Sequence, residues 1–286
     1  MNSSYELSLL RYRIARILVY VALLLWLAIA VYPFIWVVLS SLKKIDEYFL
    51  NPLALPTDPQ WWHFPYAWTK MRFQRYLFNS AFVSIASLIG SLWLSSMVAF
   101  VFARFNFRFK GVLWGFILFS FLLPGTTALF PLVVFAQKVG LYGSLWALVL
   151  IYSAQSVPWN TFFLRSAMEG IPRELEEAAV IDGASTWQVF WRIMIPLSGP
   201  ALATMGIFSF LYTWGDFMLP IMLAKSDELF TIAVGALFLT ISGKGTTDPT
   251  LVASGLLISV VPVLIIYIFL QRYVVKGLTA GALKGI

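Results

Sequence analysis

The residues of this chain that could carry out chemistry are few. Of the 286 residues, 60% are hydrophobic and only 12% are charged, whereas soluble domains carry about 25% charged residues. There is no cysteine and only one histidine, His63, so thiol chemistry and disulfides are excluded, and a histidine-rich metal site cannot form. The nearest approach to a phosphate-binding loop, Gly243-Lys244-Gly245, lacks the Ser or Thr that must follow the lysine. The sequence therefore predicts a membrane protein without a catalytic, metal or cofactor site of its own, and a surface position for His63.

One stretch, residues 165–196, is polar in an otherwise apolar chain. It carries eight charged residues, which are Arg165, Glu169, Arg173, Glu174, Glu176, Glu177, Asp182 and Arg192. Glutamates that follow Pro172 suit the first turns of a helix. Asp182-Gly183 indicates a turn, Ser185 with Gln188 a capping box, and Pro196 the end or a kink of the second helix. The pattern predicts a helix, a glycine turn and a second helix between two membrane spans.

The spacing within this stretch resembles the EAA loop of ABC-importer permeases. Glu177-Ala178-Ala179 is followed after three residues by Gly183, after nine more by Ile193, and then by Pro196, with Ile195 where the family has Leu. The surrounding segments, IPRELEEAA and IDGAS, are similar to those of the carbohydrate-importer branch of the family. We call residues 165–196 the EAA loop. Without the resemblance, an amphipathic hairpin at the membrane surface, with Glu177 paired to Arg173, stays open.

Runs of about 20 apolar residues predict six membrane-spanning helices. These runs lie at residues 17–42, 76–103, 111–137, 139–164, 198–224 and 249–271. A shorter uncharged run, 229–243, is predicted to be an interfacial or re-entrant segment. Prolines in the loop at 43–75 predict irregular structure there. The predicted fold is an all-α membrane protein with one transmembrane domain over residues 1–286, and the resemblance implies a type I ABC-importer fold with a cytoplasmic coupling-helix loop.

The distribution of basic residues predicts the orientation. With the N-terminus in the cytoplasm, the inner segments hold 12 Lys and Arg and the outer segments hold 8. This arrangement places the EAA loop and both termini in the cytoplasm. The net charge of +7 favours a basic rim beside anionic membrane lipid over binding of nucleic acid, because the basic residues are scattered over separate loops.

Asp216 is the only ionisable residue well inside a predicted span. A carboxylate within a membrane is costly and is a candidate functional group. Two interpretations stay open: Asp216 lines a solute path together with Tyr212 and Trp214, or it is a hydrogen-bonded structural carboxylate. Gly215 stands where related importers carry Asn, so the family's residue roles do not transfer directly.

The resemblance implies the partners and the mechanism. The tail with Gly277, Leu278, Thr279 and Gly281 is similar to that of the second permease of maltose-type importers, where it reaches the paired ATPases. The family implies a second homologous permease chain, two copies of an ATPase that bind ATP and Mg²⁺, and an extracytoplasmic solute-binding protein facing loops 43–75 and 225–248. Glu177, Ala178, Ala179, Asp182, Gly183, Ile193 and Pro196 would couple this chain to the ATPase.

The expected function is therefore that of a carbohydrate-importer subunit in the inner membrane. Two alternatives stay open. One is an ion-coupled transporter or channel, although proton or sodium coupling usually needs several carboxylates within the spans and this chain has one. The other is an ABC importer for a non-sugar solute such as glycerol phosphate or a polyamine.

Overall fold

The computed structural model describes residues 3–70, 72–123, 125–241 and 248–282. The helices of these residues are α1 (Ser3–Ser41), α2 (Ile45–Leu50), α3 (His63–Lys70), α4 (Phe73–Arg104), α5 (Lys110–Phe119), α6 (Leu129–Lys138), α7 (Leu145–Glu169), α8 (Glu174–Ile181), α9 (Thr186–Val189), α10 (Ile195–Leu197), α11 (Gly199–Gly215), α12 (Met218–Leu223), α13 (Ile232–Ile241) and α14 (Pro249–Ala282). No strand occurs within the described ranges, which confirms the all-α prediction.

The chain forms two compact units. The first comprises residues 1–71 and 239–258, and the second comprises residues 72–238 and 259–286. Within the described residues, three helical segments are long and apolar enough to cross a membrane, at Tyr12–Ser41, Phe73–Arg104 and Pro249–Ile268, and two bent helix pairs raise the number to as many as five. The remaining predicted span, 139–164, overlaps α7, a helix of 25 residues with the polar residues Gln155, Asn160 and Thr161 within it.

Two of the predicted spans are interrupted rather than continuous. The helical segments Lys110–Leu122 and Gly125–Lys138 meet at 97°. A residue before proline is disfavoured in helical conformation, and Leu123, which precedes Pro124, is extended with φ −85° and ψ 116°. The predicted span 198–224 is likewise divided, because α11 ends at Gly215 and α12 begins at Met218.

The core of the second unit lies where α4, α7 and α11 pack together. Small side chains line this contact, and a Cβ atom added to Gly90 would lie 2.7 Å from Ser153 Oγ. The Ser153 hydroxyl in turn donates to the backbone oxygen of Val149 at 2.7 Å, within its own helix. Such small residues allow transmembrane helices to approach closely. One apolar cluster surrounds the buried Tyr152, and a second joins the ends of α4 and α7 to the EAA loop.

Within the first unit, the segment that follows α1 was predicted to be irregular because of its prolines, but it contains two helices, α2 and α3. The buried ammonium of Lys43 donates to the backbone oxygens of Asn51 and Pro52, both at 2.8 Å. The expected surface position of His63 is wrong: its side chain is 2% exposed, and Nδ1 lies 2.7 Å from the Ser41 oxygen. On the exposed surface of the same segment, Lys44 forms an ion pair with Asp58, and the hydrogen bond from Lys44 lowers the pKa of Asp58 below its ordinary value.

Candidate functional site: the EAA loop

The helix–turn–helix predicted for the EAA loop is present as α8, a glycine turn and α9. Gly183 has a φ of +83°, in the left-handed region that glycine adopts without a steric penalty. Its N–H donates to Val180 O at 3.0 Å, and the N–H of Ala184 donates to Ala179 O at 2.8 Å. This pair of bonds is a Schellman motif, which satisfies the last carbonyls of α8. The turn therefore depends on glycine at this position, with Asp182 as the C-terminal cap residue before it.

The predicted capping box of α9 is confirmed. The Gln188 N–H donates to Ser185 Oγ at 3.3 Å, and the Ser185 N–H donates to Gln188 Oε1 at 2.8 Å. After α9, residues Phe190–Met194 form a π-helical turn that includes Ile193. Pro196, which has no N–H to donate, lies within the short α10, and the chain then bends by 74° into α11.

One side of α8 is open to the surroundings. Glu177 and Ala178 are exposed and Ala179 is half-buried. Val180 and Ile181 are 59% and 86% exposed, although both are apolar. Exposed apolar residues grouped in this way are typical of a surface that contacts a partner protein or a membrane.

The other side of α8 is tied to the transmembrane helices by an ion pair that the sequence did not predict. Arg104, the last residue of α4, pairs through Nε with Oε1 of Glu176, and the two side chains are only 7% and 16% exposed. The predicted alternative, in which Glu177 pairs with Arg173, is not the pair that forms. The sequence signal was present, since Arg104 ends a long uncharged run, but nothing in the local spacing linked it to Glu176.

A cavity of about 250 Å³ lies beside this ion pair, between the end of α4 and the α8–α9 hairpin. Its walls are the residues Phe100, Arg104, Phe105, Arg173, Glu176, Glu177, Val180, Thr186 and Val189. The lining therefore combines two arginines and two glutamates with apolar side chains. Among the described residues, no group of three or more His, Cys, Asp or Glu side chains could hold a metal ion.

The three candidate residues of the solute path lie at the end of α11 in different environments. Tyr212 is 52% exposed, whereas Trp214 is 6% exposed. The Trp214 ring stacks on Phe210 at 5.2 Å and its Nε1 donates to Ser259 O at 3.3 Å. Both oxygens of Asp216 accept hydrogen bonds, one from Tyr152 and one from the N–H of Met218. Of the three, Tyr212 has the side chain most available to a solute.

The tail residues Gly277, Leu278, Thr279 and Gly281 belong to the C-terminal part of α14. Their side chains lie outside the described residues, so their predicted contact with the ATPases stays a prediction.

Comparison with protein families identifies this architecture. Residues 91–280 match the family described as "Binding-protein-dependent transport system inner membrane component". The matched range includes the EAA loop and most of the second compact unit. The predicted resemblance is therefore confirmed.

Several characterised proteins resemble the chain over nearly its whole length. The galactooligosaccharides transport system permease protein GanQ of Bacillus subtilis is 34% identical, over 93% of this chain and 94% of GanQ. The diacetylchitobiose uptake system permease protein NgcG of Streptomyces coelicolor is 32% identical, over 92% of this chain and 87% of NgcG.

Among solved structures, a chain of a bacterial alginate ABC transporter, in complex with an alginate pentasaccharide-bound periplasmic protein, aligns with a TM-score of 0.67. It shares 17% identity and covers 91% of this chain and 95% of that chain. At this identity the likeness establishes the fold, and it agrees with the predicted type I ABC-importer architecture.

Proposed function

This chain belongs to the family of inner-membrane components of binding-protein-dependent transport systems, and we propose that it is a transmembrane subunit of an ATP-driven importer for oligosaccharides. The observation that carries the proposal is the EAA loop, in which α8 has an exposed face and is joined to the end of α4 by the buried ion pair of Arg104 and Glu176. The substrate class rests on the relatives, since GanQ and NgcG are named for galactooligosaccharide and diacetylchitobiose transport. The chain is a transport subunit, with no phosphate-binding motif in its sequence.

The energy source in this proposal is a pair of ATPase subunits that bind ATP and Mg²⁺. The exposed Glu177, Ala178 and Ile181 would enter a cleft on one ATPase, with Glu177 facing a basic group there. The small side chain of Ala178 allows close packing, and Gly183 sets the angle between α8 and α9. Closure of the ATPases on ATP would then favour one of two arrangements of the helices, which is a two-state coupling between sites.

Three further elements complete the proposed importer. A second, homologous permease chain forms the other half of the path, and a solute-binding protein delivers the sugar to the outer loops. The N- and C-termini and the EAA loop lie in the cytoplasm, and the tail with Gly277, Leu278, Thr279 and Gly281 contacts the ATPases. Tyr212, an exposed aromatic residue at the end of α11, is the best-placed member of the candidate solute path.

The arrangement of Asp216 argues against the ion-coupled alternative. Proton relays in membrane proteins are built from chains of Asp, Glu and His side chains, whereas Asp216 is the only Asp, Glu, Lys or Arg within the predicted spans. Both oxygens of Asp216 are held by protein donors at 2.7 and 2.9 Å. A non-sugar solute stays an alternative within the same family. An uptake assay with both classes of solute, sugar and non-sugar, decides between them.

Reconstitution tests the proposal. The tagged chain is purified with its co-expressed second permease and ATPase and is placed in liposomes with ATP and Mg²⁺ on the ATPase side and the binding protein on the other. Accumulation of labelled oligosaccharide that requires ATP supports the proposal. Uptake driven by an ion gradient without ATP would refute it, and ATP-driven uptake of a polyamine or glycerol phosphate but no sugar would correct the substrate class.

A further inference from the structure

Arg104 connects three segments at the base of the EAA loop. Besides its ion pair with Glu176 in α8, its Nη2 donates to the backbone oxygen of Ile171 at 2.9 Å, where the chain leaves α7. The same nitrogen lies 3.9 Å from Met194 Sδ, in the π-helical turn that leads to α11. One buried guanidinium at the end of α4 thus contacts the entry, the helix and the exit of the loop.

Among the described residues, the ion pair of Arg104 with Glu176 is the salt bridge that joins α8 to a transmembrane helix, α4. No residue of α8 is fully buried, and Ala179 is its partly buried contribution to the apolar cluster at the base. The cavity of about 250 Å³ lies beside the ion pair and is lined on α8 by Glu176, Glu177 and Val180. A helix with one ion pair and one partly buried apolar residue at its base can turn more readily than a helix packed along its whole length.

We propose that Arg104 is a positioning residue that transmits movement of α8 to α4 through its ion pair with Glu176. The inference rests on the proposed function and deepens it, because it names the connection through which ATPase closure reaches the transmembrane helices. Glu176 and Glu177 both line the cavity but have separate tasks: the exposed Glu177 would face the ATPase, whereas the less exposed Glu176 is paired with Arg104. A buried ion pair suits a fixed link, since neither charge can leave its partner without a large desolvation cost.

The decisive measurement is the number of sugars imported per ATP hydrolysed, in the complete reconstituted complex. Glu176→Gln keeps the size and shape of the side chain and removes its charge. We expect the variant complex to assemble and to hydrolyse ATP, while sugar imported per ATP falls roughly fivefold or more, the lower range of typical coupling factors. A residue needed only for folding would lower the yield of complex and leave this ratio unchanged.

Two further variants make the result specific. Lys110→Gln is the control, because it removes a charge outside the EAA loop but close to the end of α4, where Lys110 Nζ donates to the backbone oxygen of Phe105 at 2.8 Å on an exposed surface; its ratio should equal that of the wild type. The charge exchange Arg104→Glu with Glu176→Arg should restore part of the ratio lost in each single variant.

The outcomes separate the two proposals. An unchanged ratio in a well-assembled Glu176→Gln complex overturns the role of Arg104, as does an equal loss in Lys110→Gln, while wild-type uptake still supports the importer. Absence of ATP-driven uptake in the wild type is instead a failure of the proposed function.

Discussion

The hydroxyl of Tyr152 donates a hydrogen bond of 2.7 Å to Oδ2 of Asp216. Tyr152 is fully buried in α7, and Asp216 ends α11. The other carboxylate oxygen accepts from the N–H of Met218 at 2.9 Å and so caps the start of α12. One carboxylate therefore fixes the break between α11 and α12 and joins that break to α7, which favours the structural interpretation of Asp216.

Replacing Asp216 with Ala should destabilise the protein. The substitution leaves the buried Tyr152 hydroxyl without its acceptor, at a cost of about 1–3 kcal/mol, and removes the cap of α12. Tyr152→Phe should cost less, because it leaves no buried donor unpaired. Thermal unfolding of the detergent-solubilised complex measures both. The double variant should be no less stable than Asp216→Ala alone, and a wild-type melting temperature with lost uptake would instead place Asp216 in the solute path.

Gly235 in α13 should not tolerate alanine. An added Cβ atom would overlap the ring of Tyr76 and lie 2.7 Å from its Cε2 atom. Tyr76 is itself buried and its ring contacts Phe230 at 6.1 Å, so it has little room to move. Overpacking of this kind costs about 1–3 kcal/mol, which should appear as a lower melting temperature.

Gly206→Ala is the matched control for that prediction. An added Cβ atom there would meet Leu88 and Leu92 at 3.5 Å, which is ordinary van der Waals contact. We expect Gly206→Ala to melt close to the wild type. Equal melting of the Gly235→Ala and Gly206→Ala proteins would contradict the close approach of α13 to Tyr76.

Features that depend on local spacing were predictable from the sequence. The capping box of Ser185 and Gln188 and the turn at Gly183 follow from neighbouring residues alone, because caps and turns form within about five positions. The long uncharged runs likewise predicted the helices, since a bilayer requires continuous apolar segments.

Contacts between distant residues were not predictable in the same way. Arg104 and Glu176 are adjacent only because α4 and α7 pack side by side, and no local pattern records that packing. His63 was expected at the surface because its neighbours are polar and aromatic, yet it is held by Ser41, 22 positions away. The helix breaks near Leu123 and at Asp216 were missed because composition detects the length of an apolar run and is insensitive to an interruption of the helix within it.

Asn79 should be important for the order of residues 227–231. Its amide Nδ2 donates to the backbone oxygens of Glu228 and Phe230, at 2.8 and 2.9 Å, and the side chain is 4% exposed. Asn79→Asp replaces this donor with a negative oxygen that faces two carbonyls. We expect faster hydrogen–deuterium exchange across residues 227–235 in the assembled protein.

The exposed ion pair nearby provides the comparison. Arg75 and Glu228 approach to 3.2 Å with side chains 49% and 52% exposed, and such surface pairs contribute about 0–1 kcal/mol. Glu228→Gln retains the backbone oxygen that Asn79 uses, so exchange in this segment should stay near that of the wild type. If Glu228→Gln accelerates exchange as much as Asn79→Asp, the ion pair and not the buried amide holds the segment.

The conformation of Gly183 gives the sharpest test of the EAA loop. An added Cβ atom would meet nothing within 4 Å at Gly183 or at Gly111, but only Gly183 has a positive φ, of +83°. Gly183→Ala must therefore either hold a left-handed backbone, at about 1–2 kcal/mol, or release the turn between α8 and α9. Gly111→Ala adds the same methyl group to a helical backbone, where alanine is favoured over glycine. We expect Gly183→Ala to insert in the membrane, but to co-purify with less ATPase and to lose uptake. Gly111→Ala should match the wild type in co-purified ATPase and in uptake. Normal ATPase retention and uptake by Gly183→Ala would mean that the angle between α8 and α9 does not govern docking.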